Sequence, residues 1–359
     1  MSPSLRFPEF TGEWERCVLG DVLEFSNTRI NSSELNSGNY VSTENILQNF
    51  QGIVKARSIP ENTNVMAFSC GNILLSNIRP YLKKVWKATF NGGCSSDVFV
   101  LQANSNIDAD YLHYVVANDK FIGFVMNGAK GVKMPRGDKN QMKTYSLSLP
   151  SIKEQRKISR FLSFLDERIA VQNRLIDRLQ SLMIGIAQKI AHSNKPNVRI
   201  SDCLECSSSA LQESEVNKTG KYPVYGANGI VGYIDKYHTQ NEAIYIIKDG
   251  SGVGGVSYVT GKCSSTGTLN ILQAKNGHSL KYLYYLLKVF NFVPYKTGMA
   301  IPHIYFKDYG KAKIFCPAYP EQLEYAKLLS SIDGNLRIAL DSLKNFNLQK
   351  QYLLRHMLI

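Results

Sequence analysis

A chain of 359 residues with 44% hydrophobic and 20% charged side chains is long enough for two or three globular domains and too apolar to be disordered. Its 42 Lys and Arg outnumber 29 Asp and Glu, and the net charge of +13 favours a polyanionic partner. No run approaches the ~18–20 uncharged apolar residues of a spanning helix. The opening MSPSLRFPEF does not read as a signal peptide, and seven scattered Cys point to reduced thiols in a cytoplasm rather than a disulfide framework.

Residues 1–150 read as a mixed α and β globule. Short β-rich runs, NILLSNI (72–78), VWKATF (85–90) and DVFVLQ (97–102), lie between Gly, Asn and Ser clusters, and one helical stretch follows, ADYLHYVVANDKFIGFV. Residues 151–192 read as a long helix. Ile158, Leu162, Leu165, Ile169, Gln172, Ile176, Leu179, Met183, Ile186 and Ile190 alternate steps of four and three, the heptad period of a helix-pairing seam. HSNKPN (192–197) is a linker. Residues 193–317 repeat the first pattern, with strands AIYIIK (243–248) and GVSYVT (255–260) and the helix SLKYLYYLLKVF. Residues 318–359 form a second long helix, expected to start near Ala318 as the first starts near Ser151, each just after a proline.

The two halves are copies. PSIKEQRKISRFLSFLDERI (150–169) and PAYPEQLEYAKLLSSIDGNL (317–336) share Pro, Glu, Gln, Leu and Asp at an offset of 167. GVKMP (131–135) meets GMAIP (298–302) at that offset, and YLHYVV (111–116) meets YLYYLL (282–287) at 171. Carrying the heptad across by 167 gives Leu329, Ile332, Leu336, Leu343 and Phe346, apolar in the same phase. A seam of ~40 residues, roughly 60 Å long, exceeds what one globule can cover, so each helix needs a partner and the other copy offers one. The expected architecture is α+β: two similar globules, each followed by a long helix, the helices pairing antiparallel with a pseudo-twofold relation. Gln172 and Lys350 are polar members of the seam and candidates for fixing its register.

Catalytic signatures are missing. DGSGVGG (249–255) leads into β-branched sequence rather than a helix, so it reads as a hairpin loop and not as a phosphate cradle. Cys203-x-x-Cys206 lacks a second Cys or His pair at metal spacing, and neither a metal nor a cofactor is expected in this chain. The chain is read as a binder and not an enzyme.

Charge marks where it binds. By segment the net charge is +2 over 1–150, +4 over 151–192, +6 over 193–317 and +1 over 318–359. Asn62–Ser96 holds Arg79, Lys83, Lys84 and Lys87 without an acidic residue, and SNIRPYLKK adds Tyr81, a mixture suited to phosphate contact and base-edge reading. A second cluster, Lys130, Lys133, Arg136 and Lys139, lies in NGAKGVKMPRGDKN, and its counterpart KTGMAIPHIYFKD carries Lys296 and His303. Asn228, Lys248 and Ser251, in polar glycine-containing loops, complete the candidate contacts.

The duplicated P-x-x-x-E-Q…L…D segments with their heptads, the G-x-x-x-P loop before each, and ILLSNIRPYLKK together resemble the specificity subunit of Type I restriction–modification systems, over essentially the whole chain. The resemblance implies that each globule is a target-recognition domain reading one half of a bipartite, asymmetric double-stranded DNA site. It also implies that the helix pair sets the spacing and docks two modification subunits. S-adenosylmethionine would bind in those methyltransferase subunits, and restriction (motor–nuclease) subunits would join the complex. Two rivals keep part of the evidence. A coiled-coil nucleic-acid-binding scaffold unrelated to methylation needs no methyltransferase partner, and a stand-alone enzyme using the DGSGVGG loop should bind a nucleotide.

Overall fold

Ile73–Ser76 is buried at every position, as a strand covered on both faces must be. It lies inside an antiparallel sheet ordered Leu23–Phe25, Val98–Ala103, Ile73–Ser76 and Val85–Lys87. The two-residue period of the strands sorts its side chains between two cores. Ile73, Leu75, Val85, Phe99 and Leu101 face a helical layer containing Tyr111, Leu112 and Val115. Leu74, Trp86, Val98 and Val100 face Val41, Phe68 and Cys94, which come from a second sheet ordered Arg29–Asn31, Asn64–Phe68, Gly92–Cys94 and Tyr40–Val41.

The computed structural model describes residues 3–298 and 301–358; Met299 and Ala300, within GMAIP, lie outside the described residues. The chain divides into two compact units at Val171/Gln172 and Ser342/Leu343, so each unit holds part of both long helices. Among the described residues, the second unit repeats the main sheet of the first, while its smaller sheet has three strands where the first unit's has four. Its main sheet is ordered Leu204–Ser208, Leu269–Ala274, Glu242–Ile247 and Val256–Thr260. Even the register is copied: Leu75 opposes Phe99 in the first sheet, and Ile246 opposes Asn270 in the second, both displaced by 171.

The long helices span Ile152–His192 and Tyr319–Met357, each beginning two residues after its proline. In the first unit they run antiparallel. Asp166 pairs with Lys350, the Arg168 guanidinium lies 5.2 Å from the centroid of the Phe346 ring, and Ile158, Leu162 and Leu165 share one core with Leu353, Leu354 and Met357. In the second unit Gln172 Nε2 donates to the Ala339 carbonyl at 2.9 Å. Of the predicted seam, Ile158, Leu162, Leu165, Ile176, Leu329, Ile332 and Leu336 are buried, while Ile169, Leu179, Leu343 and Phe346 are partly buried. Both polar seam positions are satisfied. Lys350 sits against Asp166, whose other oxygen accepts from the Tyr114 hydroxyl at 2.8 Å.

One expected helix is two. Ala109–Val116 and Asp119–Asn127 are separated at Asn118, whose side chain accepts from Lys120 N to cap the second helix and donates to the Leu354 carbonyl at 3.2 Å. An N-cap asparagine starts a new helix because its side chain replaces a missing backbone acceptor. The second copy has a single helix there, Leu280–Val289.

Candidate nucleic-acid interface

The stretch after Ile73–Ser76 turns sharply. Arg79 and Lys83 both adopt positive φ (50° and 54°), flanking the one-turn helix Pro80–Leu82. This conformation is uncommon for residues with a Cβ. It holds Tyr81 and Arg79 out in solvent, and among the described residues the Arg79 guanidinium has no ion-pair partner.

The second basic cluster docks against this turn. Arg79 N donates to Pro135 O at 2.8 Å, and Gly137 N donates to Asn77 O at 3.0 Å. Lys130 and Arg136 close their own loop with two backbone hydrogen bonds of 3.0 and 2.9 Å. Two stretches more than fifty residues apart in sequence thus form one basic surface. Arg136 Nη1 is anchored on Asp97 at 2.7 Å, and Lys130 Nζ on Asp138 at 2.8 Å. Lys133 is exposed and carries no such anchor among the described residues.

The second unit builds the same loop pair. Gly250 N donates to Pro302 O at 3.0 Å and Ile304 N to Lys248 O at 2.9 Å, the counterparts of the Arg79–Pro135 and Gly137–Asn77 bonds. Thr297 and His303 close the loop as Lys130 and Arg136 do, and Lys248 N donates to Thr268 O as Asn77 N donates to Asp97 O. The G-x-x-x-P motif is explained by this geometry. Gly131 and Gly298 have φ of +96° and +88°, and a Cβ would meet the carbonyl oxygens of Met134 and Ile301 at 3.2 and 2.3 Å. The decoration differs between copies: Gly250 replaces Arg79, and His303 replaces Arg136, its Nδ1 lying 2.6 Å from Asp249.

Not every predicted contact joins these surfaces. Lys84 turns inward onto the Thr43 carbonyl, and partial burial lowers its pKa, so it acts as a strut. Lys83 pairs with Asp119 at 2.6 Å. Ser251 and Lys296 are exposed on the second loop pair, and Asn228 is exposed at the tip of a separate hairpin, Tyr222–Gly226 with Gly229–Ile234. DGSGVGG joins two antiparallel strands, as a hairpin loop does. Asp97, Asp138 and Asp249, which fix the basic groups, were invisible in the sequence because their partners lie at no regular spacing.

A different cluster lies away from these loops. Cys203 does not meet Cys206 but Cys316 and His278, with ligand atoms all within 4.8 Å of one another. Neighbouring Cys203 first, and His278 with it, hold the Cys316 thiol's pKa below its ordinary value against the opposing effect of burial.

Comparison with known proteins gives the architecture its relatives. The EcoDI specificity subunit of Escherichia coli is 29% identical over 126 residues, 34% of this chain and 28% of that protein. The match thus spans little more than a quarter of that relative's length. A protein of Mycoplasma pneumoniae described as a type I specificity subunit is 23% identical over 279 residues, 72% of each chain. The crystal structure of the S subunit of a Type I restriction–modification system from M. genitalium superposes with a TM-score of 0.70 at 17% identity, covering 100% of this chain and 99% of that one. The profile described as Type I restriction modification DNA specificity domain matches twice, over residues 11–181 and 193–345, and the chain therefore belongs to that family.

Proposed function

We propose that this chain is the DNA sequence-recognition subunit of a Type I restriction–modification complex, acting without chemistry of its own. Each unit reads one half of a bipartite site. The carrying observation is the loop pair built twice with the same hydrogen bonds and different side chains. One scaffold repeated holds two readers in equivalent positions, and unlike decoration makes the half-sites unlike. Arg79 and Arg136 in the first unit are donors suited to guanine O6 and N7 or to phosphate, whereas Lys248, Lys296 and His303 in the second offer a different donor set.

The two long helices suit a spacer. A duplex rises ~3.4 Å per base pair along each strand, so holding two half-sites in register needs a stiff connection, which a packed helix pair provides and a flexible linker does not. The helices are also the docking surface for two methyltransferase subunits, which carry S-adenosylmethionine, and restriction subunits complete the assembly. Double-stranded DNA is the polyanion that the charge calls for.

The test is to map methylated adenines in cells with and without this gene, then to repeat the mapping with the 193–317 segment exchanged for that of a relative. The expected result is methylation at a two-part site, of which the exchange alters one half only. Unchanged methylation on deletion of the gene, or an exchange that alters both halves, refutes the reading.

A further inference from the structure

Cys203, His278 and Cys316 converge from three distant stretches of the second unit. Cys203 ends the short helix Ile200–Cys203, His278 precedes the N-cap Ser279 of Leu280–Val289, and Cys316 lies just before Pro317. Cys316 Sγ is 3.5 Å from His278 Nδ1. Both thiols are buried and the imidazole is partly exposed.

The duplication reveals what these places need in order to fold. Lys275 N donates to Cys203 O, as Asn104 N donates to Val22 O. Ser279 N donates to the Gln322 side chain, as Asp108 N does to that of Gln155, both at 2.8 Å. Gln322 in turn donates to Pro317 O, as Gln155 does to Pro150 O. The counterparts of Cys203, His278 and Cys316 are therefore Val22, Ile107 and Leu149, three side chains of one apolar core, each no more than 9% exposed. Three aliphatic groups suffice to close this corner in the first unit. A single Cys in place of an aliphatic residue is ordinary packing. Two thiols and an imidazole brought together at all three places form a set with no packing advantage and with the chemistry of a soft-metal site.

We propose that Cys203, His278 and Cys316 bind a thiophilic divalent cation, with Zn2+ the best fit and water in the fourth position. Zn–S bonds of about 2.3 Å and a Zn–N bond of about 2.0–2.1 Å place tetrahedral neighbours about 3.5 Å apart for S···N and about 3.8 Å for S···S. The His278–Cys316 edge already has that length, and the remaining edges close with movements of at most about 1.3 Å. Both cysteines bind as thiolates, any proton they still carry passing to solvent, and the two thiolates balance the dication. Asn197 supports the site from outside, since its side chain accepts from Cys316 N and donates to Cys316 O, both at 2.8 Å. The ion clamps the short helix, the start of Leu280–Val289 and the approach to the distal helix, so it stabilises the second unit only.

The test uses the full chain, reduced, stripped with a chelator and titrated with Co2+. One equivalent should give the intense visible absorption and thiolate charge-transfer band of a tetrahedral thiolate site, displaced by one equivalent of Zn2+. Cys203→Ser and Cys316→Ser should each abolish the charge-transfer band or reduce it by about half, while Cys206→Ser leaves it intact. The combined variant Cys203→Val, His278→Ile and Cys316→Leu installs the first unit's side chains. It should fold with an unchanged circular dichroism spectrum and bind no Co2+. Uptake by the wild-type chain no greater than by this variant overturns the site, as does a Cys203–Cys316 disulfide that persists in reducing buffer.

Discussion

Gln155 and Gln322 give the shared P-x-x-x-E-Q signature a physical meaning that can be measured. Each is 1% exposed. Gln155 Oε1 accepts from Asp108 N at 2.8 Å while its Nε2 donates to Pro150 O at 2.9 Å, and Gln322 repeats this with Ser279 N and Pro317 O, both at 2.8 Å. Each amide therefore staples the start of a long helix to the N-cap of the globule's own helix. Replacement by Leu keeps the bulk and strands two backbone groups. At about 1–3 kcal/mol per unsatisfied buried group, the expected cost is about 2–6 kcal/mol per unit, a large share of a typical domain's 5–15 kcal/mol. Urea unfolding followed by circular dichroism reads the total, and hydrogen exchange at the Asp108 and Ser279 amides reads the staple itself. The preceding glutamates supply a contrast. Glu154 is buried and held by Arg6 through two bonds of 2.7 and 2.8 Å, so Glu154→Ala should be costly. Glu321 is exposed and its carboxylate accepts from the Tyr325 hydroxyl at 2.9 Å, so Glu321→Ala should change stability by less than about 0.5 kcal/mol. If Gln155→Leu and Gln322→Leu each cost less than about 0.5 kcal/mol, the staple reasoning is wrong.

Three further outcomes are expected. The His113 ring is partly buried with its Nδ1 enclosed, and desolvation first, with Lys350 nearby, depresses its pKa to about 4 from 6.5. The unfolded chain then binds the extra proton between those values, so stability should fall by about 3 kcal/mol as pH drops from 6.5 to 4, and His113→Phe should flatten that slope in denaturant titrations. Gly131→Ala forces a side chain into positive φ and should destabilise the first loop pair by about 1–2 kcal/mol; relaxed discrimination in one half-site only, read by binding assays on the assembled complex, is the expected signature. Arg79→Ala should cost about 1–3 kcal/mol of binding if it reads a guanine, and that loss should be confined to one base pair. A uniform loss across sequences, with the salt slope reduced by about 1, would assign Arg79 to phosphate instead.

The sequence alone determined the duplication, the two long helices with their starts after Pro150 and Pro317, and the antiparallel seam, because these are written as local periods and as offsets between copies. Leu162, Leu165, Leu329 and Ile332 are buried because the helical period leaves one stripe free of charge. The tertiary structure decided what depends on backbone meeting backbone. The docking of the Arg79 turn on Pro135 and of Gly250 on Pro302 is carried by main-chain hydrogen bonds, which no side chain announces. Chain reversal also decided that Lys84 turns inward and that Asn118 divides a helix. It brought Cys203 to Cys316 and not to its sequence neighbour Cys206, because Cys206 continues along the strand while the end of the second globule returns beside the short helix. Contacts of that kind are set by how the sheet closes, a property of the whole unit that no short stretch of residues encodes.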